Sequence, residues 1–437
     1  MMRKRKVAWA VMAVVPVLVL TVAVGASAGT GKSAATTITV WAHQGQTREV
    51  AVLTNAVAAF NASQADIDAK LRFIPEADYT KTIQATPRGD LPDVLEFDGP
   101  LMSAWAYGRK LRPITAFVSR ATVKNQSPSV KVQNTYFDGN LYGVSMFDSG
   151  LALYGNKALL RAAGVRFPTS WRRAWRAAQF TAVLAKLAAK DRDGKVLDVK
   201  ENYAAEWPTY GFLPIVASTG DYVVKDFKAS GNLNNPKVVA AVKRFASWRK
   251  YVDPNADDKA FINKRVVLSW VGHWVFPDYQ KALGANLVVI PLPDFGAGTK
   301  SGQGSWAWGI GGSSSNGAAA GKFLDFLVSD RWVKAMTAAN GAPPGTKSMY
   351  PKSALYKPGG KLYLYAQQLR ATCGTKRPNR SCVATPRPIT PAYPVITSEF
   401  SKAFWGAYKG GNAKVLLNQA AKVIDLDYKD NDNYGQG

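Results

Sequence analysis

"TTITVWAHQGQTREVAVLTNAVAAF" (residues 36–60) combines two different hydrophobic periods in one short stretch. Residues 36–41 are β-branched and alternate in polarity, which predicts a strand. From residue 48 onward the apolar side chains follow helical spacing, which predicts a helix over 48–61. The side chains that carry this spacing are Val52, Leu53, Ala56, Val57 and Phe60. The stretch therefore predicts a strand that leads into a helix.

The same alternation continues downstream. Residues 70–74 predict a strand, residues 78–86 a short helix, and "LPDVLEFDG" (91–99) a turn, a buried strand and a loop. Strands that alternate with helices indicate an α/β architecture. The chain has 437 residues, which is too long for one hydrophobic core, so two globular lobes are expected.

The remaining elements are predicted from turn signals and periodicity. Residues 138–160 predict a turn, two strands and a helix, and a helix over 171–189 is expected to be capped by Ser170. Further strands are predicted at 286–290 and 305–310, and further helices at 236–251, 317–328, 330–339, 361–371, 394–408 and 412–424.

The N-terminus contains a stretch, "GASAGTGKS" (25–33), that fits a permissive phosphate-binding loop. Such a loop needs a helix after it, whereas a strand follows here, so we reject that interpretation. A basic start at residues 3–6, an apolar run over 7–25 and Ala26-Ser27-Ala28 instead predict a secretory signal peptide, residues 1–28, cleaved after Ala28. The apolar run is long, so an uncleaved anchor is the alternative. A lipoprotein is not expected, because no Cys stands near the cut.

Composition narrows the possible partners. The net charge is +26, but the basic residues are scattered and no nucleic-acid motif occurs, so we expect a basic surface beside anionic wall polymers or lipid headgroups. Export makes a disulfide between Cys373 and Cys382 the default. The chain has only two histidines, His43 and His273, far apart in sequence, and neither a zinc site nor any other metal site or cofactor is expected.

Six segments, taken in order, resemble the extracellular solute-binding proteins of ABC importers, specifically the carbohydrate-binding group typified by maltose-binding protein. The resemblance runs from about residue 36 to the end of the chain. The segments are "ITVWAH" (38–43), "GDLPDVLEFDGPLMSAWAYGRKLRPI" (89–114), "DGNLYGVSMFDSGLALYGNKALLRAAGVRFPTSW" (138–171), "FINKRVVLSWVGHWVF" (261–276), "LVVIPLPDF" (287–295) and "RPITPAYPVI" (387–396).

The resemblance implies a two-lobe α/β fold of the periplasmic-binding-protein type (type II), with a hinge and a ligand cleft between the lobes. It implies a sugar ligand, ABC permease subunits as partners, and a monomer. Lobe one would comprise 36–148 with 314–342, and lobe two 151–300 with 347–437. The chain would cross near Asp148–Leu151, at 300–313 and at 343–346. The Gly- and Ser-rich stretch 296–317 suits a hinge, where backbone dihedral angles change on closure.

A sugar site needs aromatic plates for the C–H faces and a few polar groups for the hydroxyls. The candidates are therefore aromatic and polar residues at strand ends and in loops, where cleft residues belong. These are Trp41, His43, Phe97, Asp98, Asp148, Trp207, Tyr210, Trp274, Trp306, Arg387 and Tyr393. Each has a plainer alternative: the aromatic residues as core or hinge packing, and the charged ones as caps, ion pairs or spacers. Three tryptophans predicted to lie on helices, Trp105, Trp171 and Trp175, are expected in the core instead.

Other functions remain open at the level of sequence. The same fold could bind a polyamine, a metal–chelate or an anion such as a sugar phosphate. A secreted glycosidase would need two carboxylates roughly 5–10 Å apart, and only Asp98 and Asp148 are candidates. With two histidines and no nucleophile-elbow motif, a serine hydrolase is not supported. A wall-bound scaffold without transport is the last alternative.

Overall fold

A computed structural model describes residues 34–203, 206–254 and 257–435 of the chain. The predicted signal peptide, residues 1–28, lies outside the described residues, as does the phosphate-loop-like stretch 25–33. The eleven strands of the described part are β1 (Thr36–Gln44), β2 (Ile67–Pro75), β3 (Val94–Asp98), β4 (Leu111–Arg112), β5 (Leu151–Asn156), β6 (Leu197–Asp198), β7 (Leu268–Gly272), β8 (Leu287–Ile290), β9 (Ser301–Gly302), β10 (Trp306–Gly311) and β11 (Ala384–Thr385).

Fifteen α-helices connect or follow these strands in the described residues. They are α1 (Thr47–Ser63), α2 (Glu76–Ala85), α3 (Met102–Tyr107), α4 (Arg120–Asn125), α5 (Pro128–Asn134), α6 (Lys157–Ala162), α7 (Ala177–Ala188), α8 (Trp207–Ala217), α9 (Pro236–Ser247), α10 (Phe276–Leu283), α11 (Gly317–Leu327), α12 (Asp330–Asn340), α13 (Tyr363–Arg370), α14 (Tyr393–Tyr408) and α15 (Ala413–Asp430). Within the described ranges, no helix combines the length and apolar character that crossing a bilayer requires.

The first sheet has five strands in the order β2-β1-β3-β10-β4. Strand β1 runs parallel to β2 and β3, and β10 runs antiparallel to β3 and β4. Because β1 alternates, Ile38, Val40 and Ala42 lie in the buried core that also contains the apolar side of α1. The predicted strand and helix at the start of this unit are therefore confirmed.

The second sheet has four strands in the order β6-β7-β5-β8, and β5 runs antiparallel to both of its neighbours. Its residues belong to a separate, larger core cluster that includes the apolar sides of α7, α8, α9, α14 and α15. Trp171 and Trp175 are buried in this cluster, and Trp105 is buried beside the first sheet, as predicted.

The chain passes between the first-sheet side and the second-sheet side in three segments. The first is residues 148–150, before β5 begins at Leu151. The second lies between β9, which pairs with β11, and β10, which belongs to the first sheet. The third lies between α12, which packs in the first-sheet core, and α13, which packs in the larger core. The amide of Asp148 donates to the carbonyl of Pro343 in this third segment at 2.8 Å, so the first and third segments lie side by side.

Two predicted elements differ from the structure. The predicted helix 171–189 is wrong in its first turn: a short 3-10 turn at Trp171–Arg173 precedes an extended stretch, and α7 begins at Ala177. The amides of Ala177 and Asp294 donate to the carbonyls of Asp294 and Trp175, each at 2.8 Å, and this pairing keeps the backbone out of the helix. Ser170 makes no capping hydrogen bond.

The second difference concerns residues 138–160, where two strands were predicted and one, β5, is present. Leu141, Val144 and Phe147 form only isolated bridges, to Thr135, Trp308 and Pro344 respectively. This segment is apolar because it is buried beneath the first sheet and the third crossing, not because it forms a strand ladder.

Candidate functional site

Strand register brings three candidate residues to one edge of the first sheet. Trp306, the first residue of β10, pairs with Asp98, the last residue of β3. Trp41 of β1 pairs with Leu95 of β3, so His43, two residues further along, reaches the same edge. The sequence thus places one aromatic, one carboxylate and one imidazole where the strands end.

His43 pairs with a buried acidic side chain at this edge. Its Nδ1 lies 2.7 Å from a carboxylate oxygen of Glu96, and both side chains are buried. Burial opposes the charge on His43, but the carboxylate of Glu96 outweighs it and raises the His43 pKa to about 9. The ring stacks on Trp306 with centroids 3.7 Å apart and planes inclined by 10°. The Glu96 carboxylate therefore fixes the charge of His43, and Trp306 fixes its orientation.

An aromatic wall lies on the side of the second sheet. Trp274 follows β7 and is partly exposed, and its ring centroid lies 6.1 Å from those of Tyr210 and Trp207. Its indole N–H donates to the Tyr203 hydroxyl at 3.2 Å. Tyr210 in turn donates to the Ser149 hydroxyl at 2.6 Å, next to the first crossing. These contacts fix the plane of the partly exposed Trp274 ring.

Charged groups from both sides meet at Arg387. Its two terminal nitrogens donate to the two carboxylate oxygens of Asp98 at 2.5 and 2.7 Å, and one of them also donates to Glu206 at 3.2 Å. The Tyr393 hydroxyl donates to Glu206, and the guanidinium lies 4.9 Å from the centre of the Tyr210 ring. Burial raises the pKa of Glu206, against the opposing effect of Arg387. Two carboxylates thus share one guanidinium.

Asp148 occupies the crossings rather than an open surface. It is fully buried, and its carboxylate accepts hydrogen bonds from the Ser129 hydroxyl and from the amides of Ser149 at 2.8 Å and Gly304 at 3.1 Å. Burial raises its pKa, although these donors oppose the shift. Asp148 therefore ties the first crossing to the second.

The other candidates lie deeper. Phe97 is fully buried in the first-sheet core, with its ring centroid 6.2 Å from that of Trp105. Trp207 is buried and donates to the carbonyl of Val199 at 2.9 Å. Trp41 is half-buried under the Arg72 guanidinium, 4.8 Å from its ring centre.

The structure thus brings together six of the eleven candidates: His43, Asp98, Tyr210, Trp274, Trp306 and Arg387. Tyr393 is fully buried but touches the same group through Glu206.

Several residues of the site were not predicted. Glu206 immediately precedes "WPTYGF", and Glu96 immediately precedes the predicted Phe97, yet nothing in the pattern distinguished either from a solvated carboxylate. Gln46 donates to the carbonyl of Trp274 at 3.4 Å and so connects the two sides. Its position just after the first strand was the one available signal. Within the described residues, no group of three or more His, Cys, Asp or Glu side chains could hold a metal ion.

The predicted disulfide between Cys373 and Cys382 is present. Strand β11 follows Cys382 closely and pairs with β9 at the second crossing. Arg380, inside the disulfide loop, donates to the carbonyl of Gly296 at 2.5 Å. The loop therefore braces the chain where it leaves the second sheet.

Comparison with known proteins gives consistent matches. A family model described as "Bacterial extracellular solute-binding protein" matches residues 55–361. The structure is similar to the sugar-binding protein MalE of Xanthomonas citri, with a TM-score of 0.74 and 20% identity, covering 92% of this chain and 100% of that one. It is also similar to the ABC substrate-binding protein Lmo0181 of Listeria monocytogenes in complex with cycloalternan, with a TM-score of 0.73 and 18% identity over 90% and 99% of the two chains.

A third similar structure is the MalE domain of Bdellovibrio bacteriovorus bound to maltotriose, with a TM-score of 0.71, 18% identity, and coverage of 90% of this chain and 100% of that one. No curated protein sequence matches this chain significantly. At these identities the likeness establishes the fold, and it confirms the predicted two-lobe α/β architecture.

Proposed function

Because the chain belongs to the family of bacterial extracellular solute-binding proteins, we propose that it captures a sugar or oligosaccharide in the cleft between its lobes and delivers it to an ABC permease. The observation that carries the proposal is the pairing of two chemically different surfaces. The partly exposed Trp274 supplies an aromatic ring from one side, with Tyr210 buried beside it, and His43, Asp98 and Arg387 place charged groups where the sides meet. A pyranose needs both kinds of contact.

Three details support a sugar over other solutes. Two of the three solved structures named above carry a sugar, cycloalternan in one and maltotriose in the other. The buried Nε of Arg387 has no hydrogen-bond partner among the described residues, so it can donate to a hydroxyl. Because Asp98 and Glu206 already neutralise the Arg387 guanidinium, this group offers little attraction to an anionic solute such as a sugar phosphate.

We propose that lobe one comprises 36–148 with 314–342, and lobe two 151–300 with 347–437. Strand β10 lies within the proposed 300–313 crossing and pairs in the first sheet, so the bending residues of that crossing would be 303–305. The other crossings would be Asp148–Leu151 and 343–346. A ligand that contacts both lobes binds the closed form better and shifts the population towards it.

We propose that the protein is not an enzyme. The only glycosidase candidates from the sequence were Asp98 and Asp148, and both are occupied by structural contacts. Arg387 holds Asp98 through both oxygens, and Asp148 is buried against three donors at the crossings. Neither carboxylate is free to act as a general acid or a nucleophile.

We propose that the protein works outside the cytoplasm as a monomer, exported by residues 1–28 and without a lipid anchor. The intact mass of the exported protein tests the leader: it should correspond to a chain that begins at Gly29. A mass that still includes Met1 would indicate a retained anchor instead.

A thermal-shift screen of mono- and oligosaccharides tests the sugar proposal. A ligand at a hundredfold excess over its Kd stabilises the folded protein by about 2.7 kcal/mol. Maltotriose and cyclic glucans are the first probes because the solved relatives bind such sugars. A panel of sugar phosphates and polyamines is the counter-screen, and stabilisation by one of these alone would favour the non-sugar alternative.

A further inference from the structure

The three charged groups at Arg387 are divided unequally between the lobes. Asp98 ends β3 in the first sheet. Glu206 immediately precedes α8, and Arg387 lies between β11 and α14; α8 and α14 both pack in the core around the second sheet. The guanidinium therefore has one carboxylate on its own lobe and one on the opposite lobe.

The contact across the lobes is the stronger of the two. Asp98 accepts from both terminal nitrogens of Arg387, at 2.5 and 2.7 Å, whereas Glu206 accepts from one at 3.2 Å. A bidentate pair of this kind has fixed geometry and is stronger than a single contact. Only 7% of the Arg387 side chain is exposed, so the charge needs a partner in every state of the protein in which it stays buried.

Glu206 is held independently of Asp98. The Thr397 hydroxyl donates to one of its oxygens at 3.0 Å, and the Tyr393 hydroxyl donates to the other. Both donors lie on α14; Tyr393, at its start, is buried in the cluster beside the first sheet, whereas Thr397 lies next to Ile396, which is buried in the core around the second sheet. The Thr397 contact can therefore keep Glu206 beside Arg387 when Asp98 moves away.

We propose that Arg387 is an inter-lobe latch that exchanges partners: Asp98 holds it in the closed form, and Glu206 is the positioning residue that keeps it paired when the lobes open. This proposal rests on the two-lobe clamp proposed above. Opening then never leaves a buried guanidinium without a carboxylate, a loss that would otherwise oppose opening strongly. The latch sets the balance between open and closed forms before any sugar arrives.

The exchange makes opposite predictions for the two carboxylates. Asp98→Asn removes only the closed-form partner, so it favours opening. Glu206→Gln removes the open-form partner, so it favours closure, and it also removes a second negative charge from beside Asp98 in the closed form. If these two contacts only stabilised the fold, the two substitutions would not shift the balance between open and closed forms in opposite directions.

Small-angle scattering of the mature protein without any sugar tests the latch. We expect a larger radius of gyration for Asp98→Asn than for the wild type, and for Glu206→Gln a radius no larger than the wild type. Arg387→Lys, which loses the bidentate geometry, should behave like Asp98→Asn. Asp257→Asn is the matched control, because Asp257 pairs with Arg265 at 2.5 Å entirely on the second-sheet side. Circular dichroism checks that each variant is folded.

An unchanged radius for both Asp98→Asn and Arg387→Lys would overturn the latch, as would an increase for Glu206→Gln. These outcomes are independent of the sugar proposal. If the wild type binds sugar but Asp98→Asn leaves the radius of gyration unchanged, the proposed function holds and the latch does not. If Asp98→Asn enlarges the radius but the wild type binds no sugar, the latch holds and the proposed function does not.

Discussion

His43 stacks face to face on Trp306, with ring centroids 3.7 Å apart. The stack joins the end of β1 to the start of β10 and lies at the sheet edge that we assign to the cleft. Glu96 lies 2.7 Å from the imidazole Nδ1, so the ring carries a proton over most of the accessible pH range. The charge on this ring is therefore measurable through the pH dependence of stability.

Stability should rise as pH falls from about 9 to 6.5 because of His43. In this window the folded protein holds a proton on His43 that the unfolded chain, with a pKa of 6.5, does not hold. A shift from 6.5 to about 9 corresponds to about 3 kcal/mol at ~1.36 kcal/mol per unit. Urea unfolding at several pH values should show this gain in the wild type and not in His43→Asn.

The comparison with His43→Asn also cancels the contribution of other groups that titrate in the same pH window. Burial lowers the pKa of Lys300 to about 8, but Lys300 is present in both proteins. Parallel stability curves for the wild type and His43→Asn would contradict the buried ion pair.

The second histidine should act with the opposite sign. Burial lowers the pKa of His273 to about 3. Between pH 6.5 and 5 this side chain therefore binds a proton in the unfolded chain but stays neutral in the folded protein. His273 should therefore cost the wild type about 1–2 kcal/mol of stability over that range. His273→Gln should remove this part of the slope, and an identical slope in both proteins would mean that His273 is protonated in the fold.

Trp274→Ala should weaken sugar binding by roughly 1.5–3 kcal/mol, or about 10- to 150-fold in Kd, because it removes the partly exposed aromatic ring of the wall. Isothermal titration measures the loss. Trp405→Ala is the matched control: Trp405 is also partly exposed in the second-sheet core, but its aromatic contacts are to Phe212, Phe404 and Tyr408. Equal losses of affinity in both variants would point to a general effect on the fold.

Replacing both cysteines by serine should lower the free energy of unfolding. The disulfide closes a short loop, with a sequence separation of 9. For a loop of this size the chain-entropy relation gives about 2–3 kcal/mol. Urea unfolding of the mature protein, with and without a reductant, measures it. Reduced wild type should match the double variant, and no change in either would mean that the loop is held by its hydrogen bonds alone.

Most strands and helices could be predicted from the sequence because the period of the hydrophobic residues is a local signal. Strand β1 and helix α1 follow directly from the alternation and helical spacing over residues 36–60. The first turn of the predicted helix at 171–189 failed for a non-local reason. Its backbone groups pair with Asp294, more than a hundred residues away, and local propensity carries no information about such a partner.

The site could be predicted only in part. Strand register brings His43, Asp98 and Trp306 to one sheet edge, and their positions at strand ends were the signal for this in the sequence. Their role in binding a ligand stays a prediction. Glu206 was missed because its importance comes from Arg387, which lies 181 residues further along the chain. Phe97 and Asp98 are adjacent on β3 and point to opposite faces, so one is core while the other reaches the sheet edge.

The most direct test of the central claim combines binding with recovery of the ligand. The mature protein is titrated with the best sugar from the thermal-shift screen, its radius of gyration is measured with and without that sugar, and the bound sugar is recovered and weighed by mass spectrometry. We predict saturable one-site binding, a smaller radius in the bound protein, and a chemically intact sugar. Recovery of hydrolysed sugar, or saturation with no change in radius, would contradict a clamp that captures a sugar and delivers it unchanged.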